Sequence, residues 1–289
     1  MLTTTVLLAQ AAPTPALRPE MLVTTNWLAE HLKDPDLIVL SIGASPEFYS
    51  KGHIPGARQI KLSEIAVSRE GIPNELPPVE ALQRVFATAG AGNKSRIVIY
   101  GERFNLLAAR AYYTLDYLGV AQRTSLLDGG LEKWKAEGRP LSTDTPVVIP
   151  ATLRVSPQPE ILVDTATMRT LVEKKPGKLT LLDARPTKEF TGEQLSEDVA
   201  KAGHIPGAHS LYWMDLLVSR ENPVLRPEAE LRRMYAEASA APGRPLVTYC
   251  RTGMQSSFDY FVAKYLGYDP SMYDASFFEW SKKDLPALR

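Results

Sequence analysis

A single cysteine in 289 residues, Cys250, closes the apolar run Pro245-Leu-Val-Thr-Tyr249 and opens Arg251-Thr252-Gly253-Met254-Gln255. A helical pattern starts at Ser256, so the order is strand, short loop, helix, with a thiol at the first loop position. Backbone N–H groups at a helix start favour negative charge. Thiols in such places, beside an arginine, ionise more readily than a free cysteine and act as nucleophiles. The competing reading is a small buried apolar residue. The loop alone leaves the two in balance.

The bulk composition narrows the chemistry. Apolar residues make up 44% of the chain and charged residues 23%, and Lys+Arg and Asp+Glu are equal at 33 each. That balance points away from nucleic acid and from anionic membranes as partners. One cysteine excludes an internal disulfide, and the four histidines show no metal-ligand spacing. No apolar stretch reaches the ~20 residues of a membrane span. Residues 1–20 hold a short apolar segment, Val6-Leu-Leu-Ala9, then Gln10-Ala-Ala-Pro13. They fit either a signal-like segment or an N-terminal tail, which leaves cytoplasm and periplasm both open.

An internal repeat organises the rest. Gly52-His-Ile-Pro-Gly-Ala57 recurs as Gly203-His-Ile-Pro-Gly-Ala208, and Arg96-Ile-Val-Ile-Tyr100 matches Pro245-Leu-Val-Thr-Tyr249. Tyr117-Leu118-Gly119 matches Tyr265-Leu266-Gly267, and Trp134 matches Trp280. A period near 150 residues means a duplicated domain. Each half alternates β and α. The patterns predict a helix over 25–33, a strand over 37–42, a helix near 79–89, and strands over 97–100 and 125–127. The fold class is therefore α/β: two tandem domains, each a mainly parallel sheet flanked by helices. The expected division is a tail at 1–20, domains at 21–142 and 160–289, and a proline-rich linker over 143–159. The histidines of the repeated turn, His53 and His204, read as local hydrogen-bonding groups that hold it.

The paired GHIPGA turns, the cysteine-first strand-to-helix loop and the element Asp183-Ala184-Arg185 resemble the rhodaneses, tandem-domain sulfurtransferases of the thiosulfate and 3-mercaptopyruvate type. The resemblance covers residues 21–289. It implies a catalytic C-terminal domain with Cys250 as the nucleophile, and an inactive N-terminal domain. Gly101 stands where the thiol would be in that domain. Glu102, Arg103 and Phe104 are expected to reach across the interface. Arg185 and Arg251 are expected to bind a small anionic sulfur donor. The amides and side chains of Thr252, Gly253, Met254, Gln255 and Ser256 would stabilise a persulfide. Asp183, Asp274 and Trp280 would support the site. The resemblance implies no metal or other cofactor, a thiol or cyanide as acceptor, and a monomer.

Loop composition bears on the donor. Thiosulfate-type members resemble Cys-Arg-Lys-Gly-x-Thr and mercaptopyruvate-type members Cys-Gly-Ser-Gly-x-Thr. Here Arg251 favours the first type, while Thr252 and Gln255 depart from it. Thiosulfate is the expected donor, with mercaptopyruvate turnover or a non-turnover persulfide carrier as alternatives. A phosphatase is disfavoured, because the position six residues after the cysteine is Ser256 and not arginine.

Overall fold

The computed structural model describes residues 14–174 and 178–289. The segments Val6–Ala9 and Gln10–Pro13, on which a signal-like reading depends, lie outside the described residues.

The N-terminal domain contains strands β1 (Leu22–Val23), β2 (Leu37–Gly43), β3 (Arg58–Lys61), β4 (Val67–Arg69), β5 (Ile72–Glu75), β6 (Arg96–Gly101) and β7 (Thr124–Leu127). Five of them form a wholly parallel sheet in the order β1-β7-β6-β2-β3. The C-terminal domain repeats this with β8 (Leu162–Val163), β9 (Thr180–Asp183), β10 (Ala208–Ser210), β11 (Leu246–Tyr249) and β12 (Pro270–Tyr273). Its order, β8-β12-β11-β9-β10, is the same arrangement. The central strands are covered on both faces: Ile97, Val98, Ile99 and Tyr100 of β6 are fully buried. Continuous apolar runs, not alternating ones, are what a two-faced parallel sheet requires.

Helices α1 (Thr25–His31), α2 (Pro46–Ser50), α3 (Leu62–Ile65), α4 (Val79–Thr88), α5 (Leu106–Tyr117) and α6 (Gly130–Ala136) flank the first sheet. Helices α7 (Thr165–Lys174), α8 (Thr187–Phe190), α9 (Glu228–Glu237), α10 (Met254–Tyr265) and α11 (Ser276–Lys282) flank the second. The expected strands and helices are present, with ends shifted by one or two residues where the last turn frays. No helix among the described residues is long and apolar enough to cross a membrane.

Besides the apolar Phe258, Phe261 and Val262 of α10, Tyr260, Ser256, Ser257 and Asp259 are buried. On the Tyr260 side the cover is α5, which packs against α10 and joins the two domains. Tyr112 meets Phe261 edge to face at 4.9 Å, and Tyr113 meets Tyr260 at 5.1 Å. The Tyr260 hydroxyl donates to Asp116 (2.6 Å), which also accepts from Lys264 (2.9 Å). Helices apolar on most sides belong in such interiors. Residues 143–158 form neither helix nor strand, yet they are held along the first domain. Ala151 N–H donates to Ala87, Ser156 N–H to Leu118 and Gln158 N–H to Tyr117, and Leu153 is buried.

The repeated turns are fixed in matching ways. His53 stacks on Tyr49 and bonds the Tyr49 carbonyl (3.0 Å), while His204 stacks on Phe190 and bonds its carbonyl (2.9 Å). Trp134 donates to the Pro140 carbonyl and Trp280 to that of Pro286, both at 2.8 Å. These four residues hold the scaffold.

Candidate active site

Cys250 follows the C-terminal end of β11, where ligands of parallel sheets collect. It is completely buried. The loop behind it is tied down by Ser276, at the start of α11. Ser276 Oγ accepts from the amides of Cys250 (3.2 Å) and Gly253 (3.1 Å) and donates to the Tyr273 carbonyl (2.8 Å). Ser276 itself has φ +55°, a left-handed backbone that suits few side chains. Phe277 and Phe278 amides then close on the carbonyls of Cys250 and Arg251. Sequence reasoning missed Ser276, since no local pattern announces a hydroxyl that acts 26 residues away.

Several polar groups of the loop are not engaged in such bonds. The Ser256 hydroxyl donates to Cys250 Sγ at 3.5 Å. The amides of Arg251, Thr252, Met254, Gln255 and Ser256 have no acceptor among the described residues. Gln255 Oε1 is buried without a partner among them. The loop and the first turn of α10 thus carry several backbone donors with no acceptor among the described residues, which favours a negative charge near them.

The two expected anion-binding arginines both have carboxylate partners. Arg185 is buried and donates from Nε to both Asp183 oxygens (2.9 and 3.1 Å), from Nη2 to Asp183 Oδ2 (2.5 Å), and to the Gly203 carbonyl (2.8 Å). Through Nε and Nη2 it holds β9 to the second GHIPGA turn, while Nη1 takes no part in these bonds. The Asp183 carboxylate also accepts from the Arg185 amide (3.0 Å). Arg251 lies at the surface of the site with its side chain 33% exposed. It forks onto Glu189, Nη2 to Oε1 and Nε to Oε2 (3.3 Å), with Asp198 at 4.0 Å from Nη1.

The hydrogen bonds of Glu102 and Phe104 stay in the first domain, while the Phe104 ring packs against the apolar cluster shared by both domains. Glu102 turns back within its own domain to accept from the Ala44 (2.7 Å) and Ser45 (3.1 Å) amides, the Phe104 amide donates to Glu132, and Arg103 is exposed. Asn74 and Arg110 cross to the catalytic loop. Asn74 Nδ2 donates to the Thr252 carbonyl (3.2 Å) and hydroxyl (3.0 Å). Arg110, fully buried, donates to Asp274 through both terminal nitrogens and to the Gly253 (3.5 Å) and Asn74 carbonyls. Asn74 lies in the second strand of a hairpin, β4–β5, whose turn Glu70-Gly71 has φ above zero at both positions. A Gly-containing two-residue turn was the available signal for it. A lone cation inside the apolar run of α5 was the signal for Arg110.

The thiol-free position in the first domain is structural as well. A Cβ on Gly101 would lie 2.5 Å from the Ala108 backbone nitrogen. The loop there is closed by Asn105, which accepts from the Gly101 amide (3.0 Å) and donates to Leu127 (2.6 Å). Two carboxyls near the catalytic loop deviate from ordinary behaviour. Burial, and next the Asp274 charge, raise Glu75 to about 7. Asp259, three residues past Ser256, is fully buried, and burial followed by the Asp183 and Asp215 charges drives it well above the carboxylate range. Neither of its oxygens has a partner among the described residues.

A duplicated parallel α/β domain with one buried thiol at a strand-to-helix loop defines a protein that carries out chemistry at sulfur. Residues 24–137 and 166–283 each match the rhodanese-like domain, so the chain belongs to the rhodanese family of sulfurtransferases. It is 32% identical over 274 residues to the sulfur carrier protein TtuD of Thermus thermophilus, covering 91% of this chain and 94% of that protein. It is 30% identical over 271 residues to a Saccharopolyspora erythraea protein named "Putative thiosulfate sulfurtransferase", covering 91% and 94%. The crystal structure of Tum1 from Saccharomyces cerevisiae shares the fold with TM-score 0.80 at 19% identity, over 94% of this chain and 99% of that one.

Proposed function

We propose that the chain moves sulfane sulfur from thiosulfate to a thiophilic acceptor, cyanide or a thiol, through a persulfide on Cys250. The observation that carries this reading is the set of unused amides in the loop that follows Cys250, with the Ser256 hydroxyl 3.5 Å from its sulfur. The Cys250 thiolate attacks the outer sulfur of thiosulfate. The new S–S bond forms as the bond to the sulfonyl sulfur breaks, and sulfite leaves with that electron pair. The product, Cys250–S–S⁻, keeps one negative charge, which the amides of Arg251, Thr252, Met254, Gln255 and Ser256 would hold. Cyanide carbon, or an acceptor thiolate, then attacks the outer sulfur and releases the Cys250 thiolate. Charge and atoms balance at each step with no further redox partner.

In this reading the small anionic donor enters beside Arg185 and Arg251, with Asp183, Asp274 and Trp280 supporting the site. Turnover with 3-mercaptopyruvate is the alternative donor chemistry. The complete burial of Cys250 favours a second reading, a persulfide carrier that releases sulfur only to a docked protein. The similarity to a relative named as a sulfur carrier supports it too. Steady-state formation of thiocyanate from thiosulfate and cyanide separates the two. Sustained turnover supports the enzyme, and a stable persulfide without turnover supports the carrier.

A further inference from the structure

We propose that Glu189 sets the charge of the donor this site accepts, by competing for the guanidinium of Arg251. The proposal rests on the reading that Cys250 is loaded by a small anionic donor. A donor sulfonate would use the guanidinium's parallel Nε and Nη2 donors to bind two oxygens at once. Those are the two nitrogens that Glu189 already holds, Nη2 to Oε1 and Nε to Oε2. The remaining side of the guanidinium, at Nη1, faces Asp198 at 4.0 Å. Both approaches to the only arginine exposed beside the thiol among the described loop residues are thus met by carboxylates.

The duplicated domain provides the comparison. Glu47 occupies the place of Glu189 in the first domain, and Glu102 the place of Arg251. With no arginine opposite, Glu47 is exposed. Glu189 is only 3% exposed, held in by Arg251. A buried carboxylate so close to the donor's path opposes a second negative charge more strongly than a first, because screening is weak there. Thiosulfate carries two charges near the reacting sulfur, and 3-mercaptopyruvate carries one carboxylate. The pair therefore narrows the preference for a dianion, and Glu189 is the residue through which the site can be retuned.

The test compares the full-length protein with Glu189→Gln and Glu189→Asp, using thiosulfate and 3-mercaptopyruvate as donors and cyanide as acceptor. Glu189→Gln is expected to raise kcat/KM for thiosulfate about tenfold relative to 3-mercaptopyruvate. Glu189→Asp, which keeps the charge, should leave that ratio near wild type. A ratio unchanged in Glu189→Gln, or shifted equally by both variants, would overturn the proposal. Failure of wild-type Cys250 to acquire sulfur from either donor is a separate result, read by mass, and would remove the underlying reading and the proposal with it.

Discussion

Arg110, in the domain without a thiol, holds Asp274 of the other domain with both terminal nitrogens, one at 3.0 Å. The pair is almost fully buried, and the same guanidinium touches the Gly253 carbonyl in the catalytic loop. The first domain thereby fixes the position of the loop that carries Cys250.

Arg110→Met leaves the Asp274 charge buried without its partner. Loss of one member of a buried ion pair costs about 3–5 kcal/mol. Denaturant unfolding should show that loss, and kcat should fall at least about tenfold as the loop shifts. In Arg110→Met/Asp274→Leu much of the stability should return, while kcat stays low. Recovery of both would show that the pair serves stability alone.

Asn74→Ala removes two hydrogen bonds to Thr252 from an intermediate-burial position. The expected stability loss is about 1 kcal/mol. Freed from the hairpin, the loop should expose the thiol more often. Iodoacetamide should therefore alkylate Cys250 several-fold faster while thiocyanate formation slows. Unchanged alkylation would mean that the hairpin does not restrain the loop.

Gly253 has φ +80°, and a Cβ there would lie 2.7 Å from the Asp274 carbonyl oxygen and closer still to its carboxylate. Gly253→Ala is expected to cost more than about 1 kcal/mol and to lower kcat more than KM changes. Thermal melting and steady-state kinetics check both parts.

Glu75 links stability to pH. Its folded-state value is about 7 against 4.5 in a free side chain, so the folded protein retains the proton longer. The stability from this group is full below 4.5 and is lost as pH rises through about 7. Glu75→Gln should thus melt a few degrees above wild type at pH 8, a difference that vanishes below about pH 4.5. Parallel melting curves at all pH values would contradict this sign.

The scaffold was legible because its signals are local. The apolar runs of β6 and β11, the twin GHIPGA turns and the tryptophans at 134 and 280 each imply the contacts they make. Cys250 and its loop were legible for the same reason. The partners of the charged residues were not. That Arg185 pairs with Asp183, and Arg251 with Glu189, depends on side-chain geometry across 2 and 62 positions of sequence. Asn74, Arg110 and Ser276 reach the loop from elements that only the folded chain brings near it.

The central claim is that sulfur passes through Cys250. The direct measurement is the intact mass of the protein after exposure to thiosulfate and removal of excess donor, for wild type and Cys250→Ser. The account predicts one added sulfur on wild type, discharged as thiocyanate on addition of cyanide, and neither event in Cys250→Ser. Thiocyanate formed by Cys250→Ser at the wild-type rate would contradict it.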